Sequence, residues 1–278
     1  MEPSLAPAPD LVWFRGSDAI KFLNDLISQE IGTLDSGTVT RSLLLGPQGK
    51  LQFILWVLRD DDGVGLVTED GRGDELMDTL NRYRIRVDVE ISKEERDIYL
   101  SVGERTVDPG TWIVDGERTV ADISWENLPR TLQIGGSAPD LPQLSAEDYT
   151  LARIESGEPI MGLDVDEKTI PQETGLVPGS ISFDKGCFLG QELVARLDSR
   201  GGRVNRHLRI LEFDSPVAGG TGLSSGDREV GTVTTVSEKK GLALVWREVE
   251  PGDRIDAGGV ETIVREIPQK SEQVFTNS

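Results

Sequence analysis

Four short runs near the C-terminal end decide the fold class: Leu208-Arg209-Ile210-Leu211-Glu212-Phe213, Glu229-Val230-Gly231-Thr232-Val233-Thr234-Thr235-Val236, Gly241-Leu242-Ala243-Leu244-Val245-Trp246 and Val260-Glu261-Thr262-Ile263-Val264-Arg265-Glu266-Ile267. Each is rich in β-branched or aliphatic residues, is the length of a strand, and is separated from the next by turn formers. Together they predict a small β-barrel or sandwich over residues 205–267. Residues 10–204 read differently. Ser17-Asp18 precede Ile20, Leu23, Ile27 and Ile31, a three-to-four spacing that predicts a helix capped by Ser17 or Asp18. Val39–Leu45 and Lys50–Arg59 are strand-like and flank Gly46-Pro47-Gln48-Gly49, a hairpin turn. Val64–Thr68 reads as strand, Asp74–Tyr83 as helix, and Ile85–Ile91 as a half-buried strand of strict alternation. Ser145 opens a further helix over 147–154. The Gly- and Pro-rich stretch 157–186 is irregular, and a helix resumes near Gly190 with Leu193, Val194 and Leu197 facing inward. Residues 1–9, with three prolines, are expected as a disordered arm, and 268–278 as a loose tail. The class is α+β with an all-β end.

Composition narrows the function. Hydrophobic residues make up 37% and charged residues 28%, enough for a real core. Asp and Glu number 49 against 29 Lys and Arg, a formal charge of −20, which disfavours direct nucleic-acid binding. One cysteine, Cys187, allows no internal disulfide and fits a reducing cytoplasm. The start lacks the basic and apolar regions of a secretory signal, and Leu51–Leu58 is too short for a bilayer of about 30 Å. A soluble cytoplasmic chain without membrane partners is expected. With one cysteine and one histidine, His207, neither a closed zinc site nor a four-thiolate cluster can be built, so no tightly bound metal is expected.

The chemistry concentrates in Asp184-Lys185-Gly186-Cys187-Phe188-Leu189-Gly190-Gln191-Glu192. A cation two residues before the thiol and a helix starting after it both favour thiolate, and the glycines admit close backbone approach. Arg196, Arg200, Arg203, Arg206 and Arg209 crowd 14 residues of an acidic chain, a cluster suited to a carboxylate or phosphate, or to salt bridges with surplus acids. Asp164, Asp166 and Glu167 lack the spacing of a calcium loop.

These segments resemble the glycine-cleavage T-protein superfamily. Arg153–Leu176, RIESGEPIMGLDVDEKTIPQETGL, is similar to its R-x-E-x-G…G-x-D…P-x-E-x-G-L signature, and Gly16–Asn24 resembles its first helix. Lys185–Glu192 matches the K-G-C-Y/F-x-G-Q-E motif of the YgfZ branch, so Lys185, Gly186, Cys187, Phe188, Gly190 and Glu192 are motif residues. The resemblance implies two interleaved ferredoxin-like α+β units around a central folate opening, a C-terminal β-barrel, and tetrahydrofolate or a derivative as ligand. It makes Glu155 a pterin-binding carboxylate and Cys187, with Lys185, the functional thiol. Gln191, Arg196 and Arg200 are expected as further folate contacts, the arginines by charge complementarity to the folate glutamate tail. The implied role is an accessory to assembly or repair of iron–sulfur proteins, tRNA-modifying ones included, with such client or assembly proteins as partners. Where T-proteins carry an acidic pair, this chain has Gln52 and Phe53, which cannot serve as a carboxylate does. Aminomethyl transfer is therefore not expected. A folate-dependent aminomethyltransferase or demethylase, and a folate-independent interaction module, remain alternatives.

Overall fold

The computed structural model describes residues 1–268. In chain order the elements of the body are β1 (Ser4–Ala6), β2 (Asp10–Arg15), α1 (Ala19–Asn24), β3 (Val39–Leu45), β4 (Leu51–Arg59), β5 (Gly63–Thr68), α2 (Gly73–Asn81), β6 (Glu90–Lys93), β7 (Ile98–Val102), β8 (Trp112–Asp115), β9 (Arg118–Asp122), β10 (Arg130–Ile134), α3 (Ala146–Ser156) and α4 (Gln191–Asp198). The C-terminal end carries β11 (Arg206–Phe213), β12 (Gly222–Ser225), β13 (Arg228–Ser237), β14 (Lys240–Trp246), β15 (Arg254–Ala257) and β16 (Val260–Arg265). The body holds two five-stranded sheets, ordered β3-β4-β5-β2-β6 and β1-β7-β10-β9-β8, and the last six strands close into a barrel. The first strand joins the second sheet and the next joins the first, so the two units interleave, as the resemblance implies.

The period of two along each strand divides the body into layers. In β2, Leu11 and Trp13 enter one core while Val12 and Phe14 enter another; in β4, Ile54 and Leu58 enter the first while Phe53, Leu55 and Val57 enter the second. The first core also takes Leu100, Val102, Leu132 and Ile134 from the second sheet. The other takes Ala19, Leu23, Leu76 and Leu80 from α1 and α2. Each fully buried leucine of this kind contributes about 1.5–3 kcal/mol.

The barrel has its own interior, including Leu211, Val233, Val245 and Val264. It is fastened to the body through α3, whose Ile154 packs with Leu208, Ile210, Leu242 and Ile267. Asp164, fully buried, accepts hydrogen bonds from Thr234 and Thr235 of β13 at 2.6 Å each and from the Ile160 amide at 2.9 Å. Arg153 lies 3.4 Å from its other side. Asp164 is thus a strut between body and barrel. Ser145 caps α3 by accepting from the Asp148 amide, and Gly157 closes it at φ +67°. A side chain at 157 would meet Ile267 Cβ at 2.8 Å, so the helix end and the barrel seam both require glycine.

Several expectations change. The arm at 1–9 is not disordered: Ser4-Leu5-Ala6 is a buried strand paired with β7. The flanking prolines only limit its length, and Leu5 supplies the apolar anchor. The first helix stops at Asn24, although Ile27 and Ile31 remain fully buried in the loop that follows. Asp18 occupies the cap position without capping; it accepts instead from the Asp88 amide at 2.8 Å. Ile85–Val89 is not a strand. Ile85 is 72% exposed and Arg86 has φ +57°, which breaks the extended run before β6 begins at Glu90. In α4 only Val194 is buried, with Leu193 and Leu197 half-buried. The expected loose tail, Pro268 apart, lies outside the described residues. Among those residues no helix is long and apolar enough to cross a membrane.

Candidate functional site

The cysteine motif is a shaped loop pinned by Lys185, Phe188 and Gly190. Lys185 turns its ammonium into the body and donates to the carbonyls of Asn24, Ile27 and Gln29 at 2.6, 2.9 and 2.9 Å. Burial pushes the ammonium down to about 8, with Glu30 and Asp25 acting the other way. The lysine is therefore an anchor to the α1–β3 connection, a correction to the expectation that its charge serves the thiol. Phe188 is buried in the core shared by the sheets. Gly190 has φ +77°, and a Cβ there would lie 2.5 Å from the Gly46 carbonyl and 3.0 Å from Gly49 Cα. The motif thus seats its glycine against the β3–β4 turn. Between these anchors Cys187 is exposed and unpaired, and Gly186 has open space around it.

The other expected contacts do not converge on this loop. Glu192 and Arg196 pair with each other along the exposed side of α4, and Arg200 lies exposed past its end. Gln191 opens the helix, its amide donating to the Phe188 carbonyl. The arginine cluster is divided because the chain leaves the helix at Ser199: Arg206 pairs with Glu173 and Arg209 with Glu266, both from β11. Glu155 is half-exposed and holds Lys240 of β14 at 2.6 Å. No hydrogen bond or ion pair joins Glu155 to the cysteine motif among the described residues.

A second constellation, missed in the sequence, lies where the two sheets meet. Arg41 of β3 is buried, donating from Nε to Ser180 Oγ at 2.7 Å and from Nη1 to Glu126 Oε1 at 3.0 Å. Its guanidinium stacks 4.4 Å over the Trp125 ring, which meets Trp56 edge-on. Glu126 sits in the turn before β10 with φ +39°, a left-handed conformation that a glutamate adopts only when its surroundings hold it there. Arg130, next along, donates to the Ile123 carbonyl and to Glu158 at 3.0 Å. Tyr149 belongs to the same group; burial pushes its phenol up, Arg130 opposing and Glu158 adding. Two atoms in this cluster, Glu126 Oε2 and Arg130 Nη2, are buried without a hydrogen-bond partner, as is Gln52 Oε1 on β4. Buried polar groups are normally satisfied, so these orphans set the sheet junction apart from the rest of the body. The available signal was Arg41, a lone arginine inside the buried strand β3.

Two facing sheets with a helix layer and a docked barrel define the class, which is the T-protein-like fold. The glycine cleavage system aminomethyltransferase T of Bartonella henselae superposes with a TM-score of 0.82, covering 96% of this chain and 85% of its own, at 15% identity. Residues 205–270 match the model of the CAF17 C-terminal beta-barrel domain. The tRNA-modifying protein YgfZ of Enterobacter sp. is 25% identical and that of Klebsiella pneumoniae 27%, each over 69% of this chain. Those matches span 66% and 65% of the YgfZ proteins, just under two thirds of their length. An uncharacterized protein of Haemophilus influenzae is 26% identical over 89% of this chain and 88% of its own. The chain is thus similar to the YgfZ proteins in sequence and to the aminomethyltransferase in fold.

Proposed function

We propose that this protein is a folate-binding accessory to the assembly or repair of iron–sulfur proteins, among them enzymes that modify tRNA, and that it works through Cys187. The observation that carries the reading is the presentation of the thiol. The chain's one cysteine is exposed on a loop pinned by a buried ammonium, a buried ring and a glycine–glycine contact. That expenditure of buried polar and apolar contacts suits a thiol that must meet a partner in a fixed orientation.

The folate is proposed to lodge at the Arg41–Glu126–Arg130–Glu158 cluster. Glu126 Oε2 and Arg130 Nη2 would pair with the N–H groups and the carbonyl oxygen of a pterin edge once the buried cluster opens to admit it. Tetrahydrofolate, when bound, supplies one-carbon carrying capacity. The chain's residues bind and orient it, and Gln52 and Phe53 offer no carboxylate toward a one-carbon centre. Glu155, already tied to Lys240, is the alternative pterin ligand. The expected location is the cytoplasm.

The test of the thiol is genetic. In a bacterium deleted for its own YgfZ protein, the wild-type chain should restore the activity of an iron–sulfur tRNA-modifying enzyme, and Cys187→Ser should not. Full restoration by the serine variant would remove the thiol from the function.

A further inference from the structure

The connection between α2 and β6 carries three arginines in five residues, Arg82-Tyr83-Arg84-Ile85-Arg86, in a chain whose acids outnumber its bases by 49 to 29. Exposed cations elsewhere hold carboxylates, as Lys21 holds Asp25, Arg118 holds Asp115 and Arg254 holds Glu261. Arg82, Arg84 and Arg86 are all exposed, and none of them forms an ion pair among the described residues. Ile85, in their midst, is 72% exposed, more than any other large apolar side chain of the described residues. A single surface isoleucine is ordinary; one fixed between unpaired cations is not.

The fold holds this arrangement in place. Tyr83 and Val87, on either side of Ile85, pack against the core beneath α1 and α2. Arg84 Nη1 donates to the Val89 carbonyl at 3.0 Å, and the Ile85 amide donates to the Tyr83 carbonyl at 2.9 Å. Arg86 takes φ +57°, a left-handed backbone that a long side chain adopts only where its surroundings hold it. The chain is therefore anchored before and after Ile85, whose side chain stands in solvent. Arg84 serves the loop itself, which leaves Arg82 and Arg86 to flank the isoleucine.

The chemistry of the partner follows from these groups. An apolar centre with a polar surround is the anatomy of a protein–protein contact, and guanidinium meets carboxylate through two parallel hydrogen bonds. Charges are screened beyond about 8 Å at physiological salt, so an acidic partner repelled by most of this surface is admitted where unpaired cations stand. A nucleic acid fits less well. Isoleucine offers no ring for a base to stack on, Tyr83 packs on the core, and Asp88 and Glu90, both exposed just beyond the loop, would repel a line of phosphates. An anionic membrane would need more than one inserted side chain to hold a chain of charge −20.

We propose that loop 82–87 is a docking knob for a protein partner, which seats Ile85 in an apolar hollow and offers carboxylates at its rim to Arg82 and Arg86. The inference does not depend on the thiol or the folate reading.

The probe is a dye-labelled, end-capped peptide in which four glutamates flank a leucine–phenylalanine pair, followed by fluorescence anisotropy as the full chain is added. Saturable binding is expected. It should weaken by about fivefold or more when glutamines replace the glutamates, and again when serines replace the apolar pair. An oligothymidylate with four phosphates should bind more weakly than the acidic peptide. Ile85→Ala and Arg86→Gly should each weaken the peptide by about fivefold or more. Neither should lower the melting temperature, since one trims an exposed side chain and the other relaxes a left-handed backbone. Absence of saturable binding would overturn the proposal, as would equal binding of the glutamine or serine peptide, tighter binding of the oligonucleotide, or unchanged binding by either variant. Should a variant lose its cooperative melting, the comparison of probes on the wild type decides alone.

Discussion

Glycine 190 shows how one residue ties the motif to the fold. Its left-handed backbone alone disfavours any side chain, and the Gly46 carbonyl stands 2.5 Å from where a Cβ would be. Gly186, four residues before it in the motif's own run, has nothing within 4 Å. Gly190→Ala should therefore lower the unfolding free energy by about 2–4 kcal/mol, from backbone strain plus displacement of the β3–β4 turn, while Gly186→Ala stays within about 1 kcal/mol. Urea denaturation of the two variants checks this. At this scale the motif is legible as a segment and its long-range contacts are not. The K-G-C motif was legible because its residues are contiguous. What Lys185 does was not, because its partners are main-chain carbonyls some 160 positions earlier in the chain, and a carbonyl carries no sequence signature. Glu126 was invisible for a related reason. A strained, buried glutamate in a turn looks like any solvated acid until the arginine of another sheet is placed against it.

Elements were legible where one period ran uninterrupted. The β3–β4 hairpin forms around the predicted turn, and its alternation sorts side chains between two cores. Periodicity failed where it crossed a break. Ile27 and Ile31 keep helical spacing but are buried from a loop, and Ile85–Val89 alternates without pairing. What begins pairing beyond that break is β6, and its end is held by Glu94. That carboxylate accepts from the Trp13 indole at 2.8 Å and from the Arg96 side chain and amide. Burial alone would raise it; those hydrogen bonds win and hold it at about 2, against an ordinary value of 4.5. A depressed acid stabilises the fold above its unfolded value and loses that stabilisation as pH falls toward its folded value. The stability advantage of wild type over Glu94→Gln should thus be complete at pH 7 and narrow steadily from pH 5 to pH 3, measured by denaturant unfolding at each pH. An advantage unchanged across that range would show that the hydrogen bonds do not favour the ionised form.

For the whole molecule, the α+β body and the closed barrel follow from patterns the chain displays, whereas the meeting of the two sheets does not. Arg41 and Glu126 are 85 residues apart and face each other only because the sheets share a core. The same holds for Asp164, which reads as one of several loop acids and is a buried strut to the barrel. Sites of this kind arise from tertiary contact, and local pattern cannot reveal them. The central claim, that the sheets enclose a folate site, is tested most directly by anaerobic calorimetry of tetrahydrofolate binding to wild type, Glu126→Gln and Glu155→Ala. The account predicts saturable binding to wild type, weakened at least tenfold (about 1.4 kcal/mol) by Glu126→Gln and left nearly unchanged by Glu155→Ala. Absence of binding to the wild-type protein would contradict the claim, and a loss confined to Glu155→Ala would move the site to the α3–barrel face.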